Sequence, residues 1–145
     1  MSSEQPPPPA PGDAPRDAAG DDGDVVELAH RVLDLARAGD AASLAGYVDA
    51  GVPVDLTDPR GNTLLMLAAY HGHAPAVRAL AERGADVDRA NDRHQTPLAG
   101  AVFKGEADVV RVLLEHGADA GAGAPSALET ARFFGREDLA ALLGG

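Results

Sequence analysis

The feature that most constrains this chain is its repetition. Gly39, Gly72 and Gly105 are spaced by 33 residues, and so are Gly51, Gly84 and Gly117. Thr63 and Thr96, Leu65 and Leu98, Ala68 and Ala101, and Leu80 and Leu113 keep the same period. A last copy follows at an offset of 30, which pairs Gly105 with Gly135, Thr96 with Ser126, Leu98 with Leu128 and Leu113 with Leu143. A period of this length marks stacked supersecondary units, none of which can bury its apolar face alone.

Each unit reads as helix, tight turn, helix and connection. In the third copy Thr96 is a natural N-cap and Pro97 a favoured first helical residue. Leu98, Ala101 and Val102 then share one helical face, and Gly105 allows the turn. Val109, Val110, Leu113 and Leu114 make the stripe of a second helix, which Gly117 closes as a left-handed cap. Asp24 with Glu27, and Ser126 with Glu129, stand at capping-box spacing and open the first and last units. Helices of about eight to ten residues are too short to persist alone, so neighbours must stabilise them. The expected fold is all-α, a solenoid of four helix-turn-helix units at about 25–57, 58–90, 91–120 and 121–145. Composition agrees, since aromatics make up only 3% and the apolar residues are mainly Ala, Leu and Val. That mixture suits closely stacked helices better than a sheet sandwich.

The domain is expected to span 24–145, preceded by an acidic tail. Residues 1–23 hold six of the 11 prolines, including Pro6 to Pro9, and little that is apolar beyond alanine. Such a segment cannot bury enough surface to offset its ordering entropy, so disorder is expected. Its proline clusters lack the flanking arginine of a polyproline ligand.

Net charge is −11, from 23 acids against 12 bases. Nucleic-acid affinity comes largely from Lys and Arg on phosphates, so an acidic chain without a basic stripe argues against that partner and against an anionic membrane. No cysteine is present, which excludes disulfides and thiol chemistry. Neither a signal-peptide core nor an apolar run of membrane-spanning length stands out, so a cytoplasmic location is expected. A single lysine, Lys104, beside abundant Arg, Ala, Gly and Asp suggests a GC-rich bacterial source.

The stretch from Asp58 to Ala69 (DPRGNTLLMLAA), followed by Gly72-His73 and then Gly84-Ala85-Asp86-Val87-Asp88, resembles the ankyrin repeat. Gln95-Thr96-Pro97-Leu98 and the run from Leu113 to Asp119 (LLEHGAD) continue the likeness. It covers about residues 25–145 and is most similar to short bacterial ankyrin proteins. The resemblance implies an L-shaped stack of antiparallel helix pairs with loop fingers along one edge, and a protein-binding scaffold without an active site. Two departures stand out. The histidine usual after Thr-Pro-Leu is Met66 in one copy and Ala99 in the next, and the usual loop glycine is Gly61 in one and His94 in the other. A non-glycine residue at positive φ is uncommon, although histidine tolerates it better than branched residues.

The chain offers little that could carry chemistry. His71-Gly72-His73 could be a metal pair, with His30, His94 and His116 as further ligands, but the resemblance gives His73 a structural place in the turn. The other four fall at different repeat positions, which implies no coordination sphere. Asp21-Asp22-Gly23-Asp24 lacks the spacing of a calcium loop, and Gly121 to Ser126 lacks the lysine of a phosphate loop. Ser43 and Ser126 sit in no nucleophile elbow. No enzyme activity, catalytic residue, metal or cofactor is expected.

One pattern rises above the scaffold. Arg37, Tyr70, Phe103 and Phe133 occupy one repeat position near the end of the first helix. Equivalent positions of a solenoid align, so the rings should form a ladder, and the resemblance places that position in the concave groove with the fingers. Arg60 and Arg93 are equivalent in neighbouring fingers, Asn62 and Gln95 stand beside them, and His71 precedes Lys104 by 33. The expected binding set is therefore Arg60, Asn62, Tyr70, His71, Arg93, Gln95, Phe103, Lys104 and Phe133. Aromatics and arginine are what interface hot spots favour. The expected role is an adaptor, regulator or inhibitor, monomeric when free, that holds a protein partner. The alternatives are a histidine-based ligand or metal binder, a structural subunit, or rings that merely fill space between first helices.

Overall fold

The computed structural model describes residues 17–144 of the chain. Their elements are α1 (Asp17–Ala38), α2 (Ala41–Asp49), α3 (Leu64–Tyr70), α4 (Ala74–Glu82), α5 (Pro97–Lys104), α6 (Ala107–Glu115), α7 (Ala127–Phe133) and α8 (Glu137–Leu142). Among the described residues there is no strand, only isolated bridges at Thr57–Thr63 and Gly123–Ser126 that close two loops. The described residues divide into two units, one ending at Arg31 and the other beginning at Val32.

The first unit contains the N-terminal part of α1, on which Val25 and Val26 are exposed. The expected tail over 1–23 lies outside the described residues as far as residue 16, and from Asp17 onward the chain is helical. Asp24 is consequently interior to α1 and not the cap its spacing with Glu27 suggested. Ala18 and Ala19 favour helix, and acids near a helix N-terminus are stabilised by the helix dipole, so nothing stops the helix at residue 24.

In the second unit α3, α5 and α7 pack successively in one layer, while α2, α4, α6 and α8 do so in another. Within each repeat α3 packs on α4, α5 on α6 and α7 on α8. One threonine or serine starts each helix of the first layer. The hydroxyls of Thr63, Thr96 and Ser126 accept hydrogen bonds from the N–H groups of Met66, Ala99 and Glu129, each at 3.1 Å. Glu129 closes the capping box by accepting the Ser126 N–H at 2.8 Å. These caps are themselves buried, which locks helix starts to the core.

The core follows the repeat register. Leu65 and Leu98, Leu80 and Leu113, and the trio Ala76, Val109 and Leu139 are all fully buried. Leu128 and Leu143, which continue the leucine series, are only half-buried. They belong to the last described repeat, where no following repeat covers them.

Gly61 and His94 hold the same finger position at φ 80° and 64°. A Cβ on Gly61 would stand 2.6 Å from Asp92 Oδ1 in the next finger. His94 is exposed. Its backbone remains in the left-handed region, which costs about 1–2 kcal/mol for an L-residue.

Two substitutions test this account by urea denaturation of the full chain. Thr96→Ala should lower stability by about 1 kcal/mol through loss of the cap. His94→Gly should raise it by about 0.5 kcal/mol, since the relief of left-handed strain exceeds the extra chain entropy of glycine. A lowered midpoint for His94→Gly would show that the loop is not strained there.

Candidate protein-interaction site

The site is built from the two central fingers and the ends of α3, α5 and α7. Each finger is a turn organised by one side chain. Asp58 Oδ1 accepts the N–H groups of Arg60 and Asn62 at 2.9 Å each. One repeat later Asn91 Oδ1 accepts those of Arg93 at 2.9 Å and Gln95 at 3.0 Å. Asn91 Nδ2 then donates to Asn62 Oδ1 at 2.8 Å and Gln95 Oε1 at 3.1 Å, and the Asp92 N–H donates to the Arg60 carbonyl at 3.0 Å. The fingers are thus stitched side by side, with the Asn62 carbonyl oxygen taken up by that seam and the Gln95 carbonyl oxygen by Asn91 of its own finger.

Asp58 is an acid in a mostly covered place. Burial alone would raise its pKa, but hydrogen bonds from the Asn62 side chain and from the Asn62 and Arg60 N–H groups, together with the Arg37 charge, outweigh it. The carboxyl is held below its ordinary 3.8. Arg37 lies 3.9 Å away and also pairs with Asp34. By contrast Arg60, Arg93 and Lys104 form no ion pair within 4 Å with a described carboxylate.

The aromatic column is present, but its rings do not stack on one another. Packed helices lie about 8–10 Å apart, beyond the ~4.5–7 Å of ring pairs. Contacts run diagonally instead, from Tyr70 and from Phe103 to the position after the column residue in the next repeat. Lys104 Nζ sits 4.9 Å over the Tyr70 ring, and Phe134 meets Phe103 edge-on at 5.6 Å. Phe133 reaches the cluster through Phe134 at 5.0 Å. Phe134 was not among the expected residues. Its signal was available, because the 30-residue offset puts it at the position of Lys104 and His71.

The column residues differ in what they cover. Tyr70 is half-buried and packs over Gly100, whose missing side chain also accommodates Met66. This ring fills space between first helices. Phe103, Phe133 and Phe134 remain 55%, 82% and 52% exposed, far more than interhelical filling requires.

Two adjoining grooves result. The first, of about 500 Å³, lies between α3 and α5, with Arg60, Asn62, Tyr70, Arg93, Gln95 and Phe103 among its lining residues. The second, of about 480 Å³, lies between α5 and α7 and takes in Gln95, Phe103, Phe133 and Phe134. Gln95 and Phe103 form their common wall. His71 and Lys104 line neither groove; they stand at the ends of α3 and α5.

The histidines do not converge on a ligand. His73 Nε2 donates to the Arg37 carbonyl at 2.8 Å, while His116 Nδ1 is 2.9 Å from the Val112 carbonyl. Burial, and then the charges of His73, Lys104 and Arg37, hold His71 below its ordinary 6.5. Among the described residues no group of three His, Asp or Glu side chains is arranged to hold a metal ion. No described helix is long and apolar enough to cross a membrane.

The sequence pattern of ankyrin repeats, in three copies, matches residues 32–123. The chain belongs to the ankyrin-repeat family. A protein of Pseudomonas aeruginosa that carries an ankyrin repeat name is 44% identical over 57 residues. That alignment spans 39% of this chain and 33% of the relative, so the chain matches about a third of the relative's length. Ankyrin repeats in general serve protein–protein interaction, and catalysis is not typical of them.

The finger turn gives two distinguishable variants. Asp58→Ala should cost about 1 kcal/mol at neutral pH by removing the hydrogen bonds that hold the turn. Asp58→Asn should retain most of the turn, as Asn91 does. Because the folded-state pKa of Asp58 is depressed, its contribution is present above the unfolded value and is lost as pH falls through the folded one. Asp58→Asn should therefore remove part of the stability loss seen below about pH 4, measured by denaturation across pH. Parallel acid-unfolding curves for this variant and the parent would contradict that role.

Proposed function

We propose that this ankyrin-repeat chain is a cytoplasmic adaptor, regulator or inhibitor with no chemistry of its own. It is a monomer when free and holds a partner protein along the concave face made by the ends of α3, α5 and α7 and the two central fingers. The observation that carries this reading is the exposure of Phe103, Phe133 and Phe134 beside two open grooves, next to arginines without described acidic partners. Exposed aromatic clusters of this kind mark interaction surfaces more often than solvated ones.

Arg60, Arg93, Phe103 and Phe133 are the contact residues in this proposal. Tyr70 shapes the groove floor, Asn62 and Gln95 hold the fingers in place, and His71 and Lys104 flank the site. Truncation should separate these roles. Phe133→Ala should change stability by no more than about 0.5 kcal/mol, as for other exposed sites, whereas Tyr70→Ala should cost about 1–2 kcal/mol.

The functional test is affinity capture from the native host with the full chain, beside a folded Phe103→Ala/Phe133→Ala variant. A protein retained by the parent and lost by the variant is the expected result. Equal retention by both would move the binding site elsewhere and overturn this assignment.

A further inference from the structure

The two grooves are adjacent but chemically unlike. The first is lined by the polar side chains of Arg60, Arg93 and Asp92 together with Met66, Leu67 and Tyr70. Two guanidinium groups against one carboxylate leave this groove positive in a chain whose net charge is −11. Asp58, the other nearby acid, stays ionised, but the Arg37 guanidinium 3.9 Å away lies against its charge. His71 adds no reliable charge there at neutral pH, since its pKa is depressed. The second groove is largely apolar, walled by Ala99, Phe103, Pro125, Phe133 and Phe134. Its one acid, Glu129, already accepts the Ser126 N–H, and its charge would repel a carboxylate placed in that groove.

Resting on the proposed function, we infer that the grooves together select an extended segment of the partner that carries a carboxylate side chain about three residues from a bulky apolar one. The spacing follows from the array, where neighbouring helices lie about 8–10 Å apart. A polyproline II segment advances about 3.1 Å per residue with three residues per turn, so side chains three apart share a face. The carboxylate lies against Arg60 and Arg93, where planar guanidinium groups suit bidentate pairing. The apolar side chain enters between Phe103, Phe133 and Phe134. Charge sets the direction of the segment, with its acidic end towards α3 and its apolar end towards α7. A basic segment is rejected at the first groove and an acidic one at the second.

The experiment is selection from a displayed library of random short peptides on the full chain, followed by fluorescence anisotropy of the enriched peptides. Each is measured with its acidic residue intact and replaced by the amide, on the parent, on Arg60→Ala/Arg93→Ala and on Phe133→Ala. All three positions are exposed, and circular dichroism checks that the variants remain helical. Enriched peptides should share an acid about three residues from Leu, Ile or Phe. Removing both arginines should weaken the acidic peptide about tenfold and leave its amide form unchanged. Phe133→Ala should weaken both forms alike.

Peptides that depend on Phe133 but bind equally as acid and amide overturn this inference and leave the proposed function standing. Peptides indifferent to all three substitutions overturn the inference and count against the proposed face as well. Enrichment of basic peptides also overturns it. So does a dimer of the free chain that the peptides dissociate, since a second copy would then be the occupant.

Discussion

Helices of six to nine residues do not hold themselves together in water, and α2 to α8 are all of that length. What keeps them helical is contact with the equivalent helix one repeat away. Leu65 on Leu98's layer, and Leu80 on Leu113's, are buried because the next copy supplies the surface that covers them. The buried Thr63, Thr96 and Ser126 caps belong to the same constraint, because each start is fixed at the place where the helix enters the core. Everything that projects from the array inherits its spacing from this stacking.

The fingers show how that spacing becomes a surface. Asp58 and Asn91 perform one turn-forming task with different chemistry, an acid in one copy and an amide in the next. The amide has a donor to spare, and Asn91 uses it to tie Asn62 and Gln95 together. Polar groups at the finger bases therefore satisfy one another, while Arg60 and Arg93 extend from the rims. Repetition of the backbone thus places like charges in register without requiring them to do the same work as the residues beneath.

The aromatic face illustrates the difference between sharing a position and sharing a contact. Tyr70, Phe103 and Phe133 are equivalent, yet helix spacing keeps their rings apart and the following residue reaches back across the gap. Lys104 covers Tyr70, and Phe134 covers one edge of Phe103. Because the last first-layer helix has no described helix beyond it, Phe133 is left the most open of the three. A single repeated column therefore grades from a structural ring to a solvent-facing one along the array.

The left-handed backbone at His94 is read from the structure, whereas the sequence by itself determined the repeat, the helix pairing and the caps at Thr96 and Ser126. Each depends on local chemistry or on a period, and both are visible in a linear string. It also placed most of the candidate binding residues on one side, since equal repeat positions must share a face. Only the tertiary structure decided which of those residues are free to act. Asn62 is bound to the next finger and Gln95 to Asn91 of its own, Tyr70 is packed over Gly100, and Phe134 joins the cluster from a position that the column did not include. The start of α1 at Asp17 was hidden for a related reason, because Asp24 and Glu27 have the spacing of a cap whether or not the helix has already begun. Exposure, pairing and groove shape are properties of the distance between two stacked helices, and that distance is set by side chains far apart in the chain.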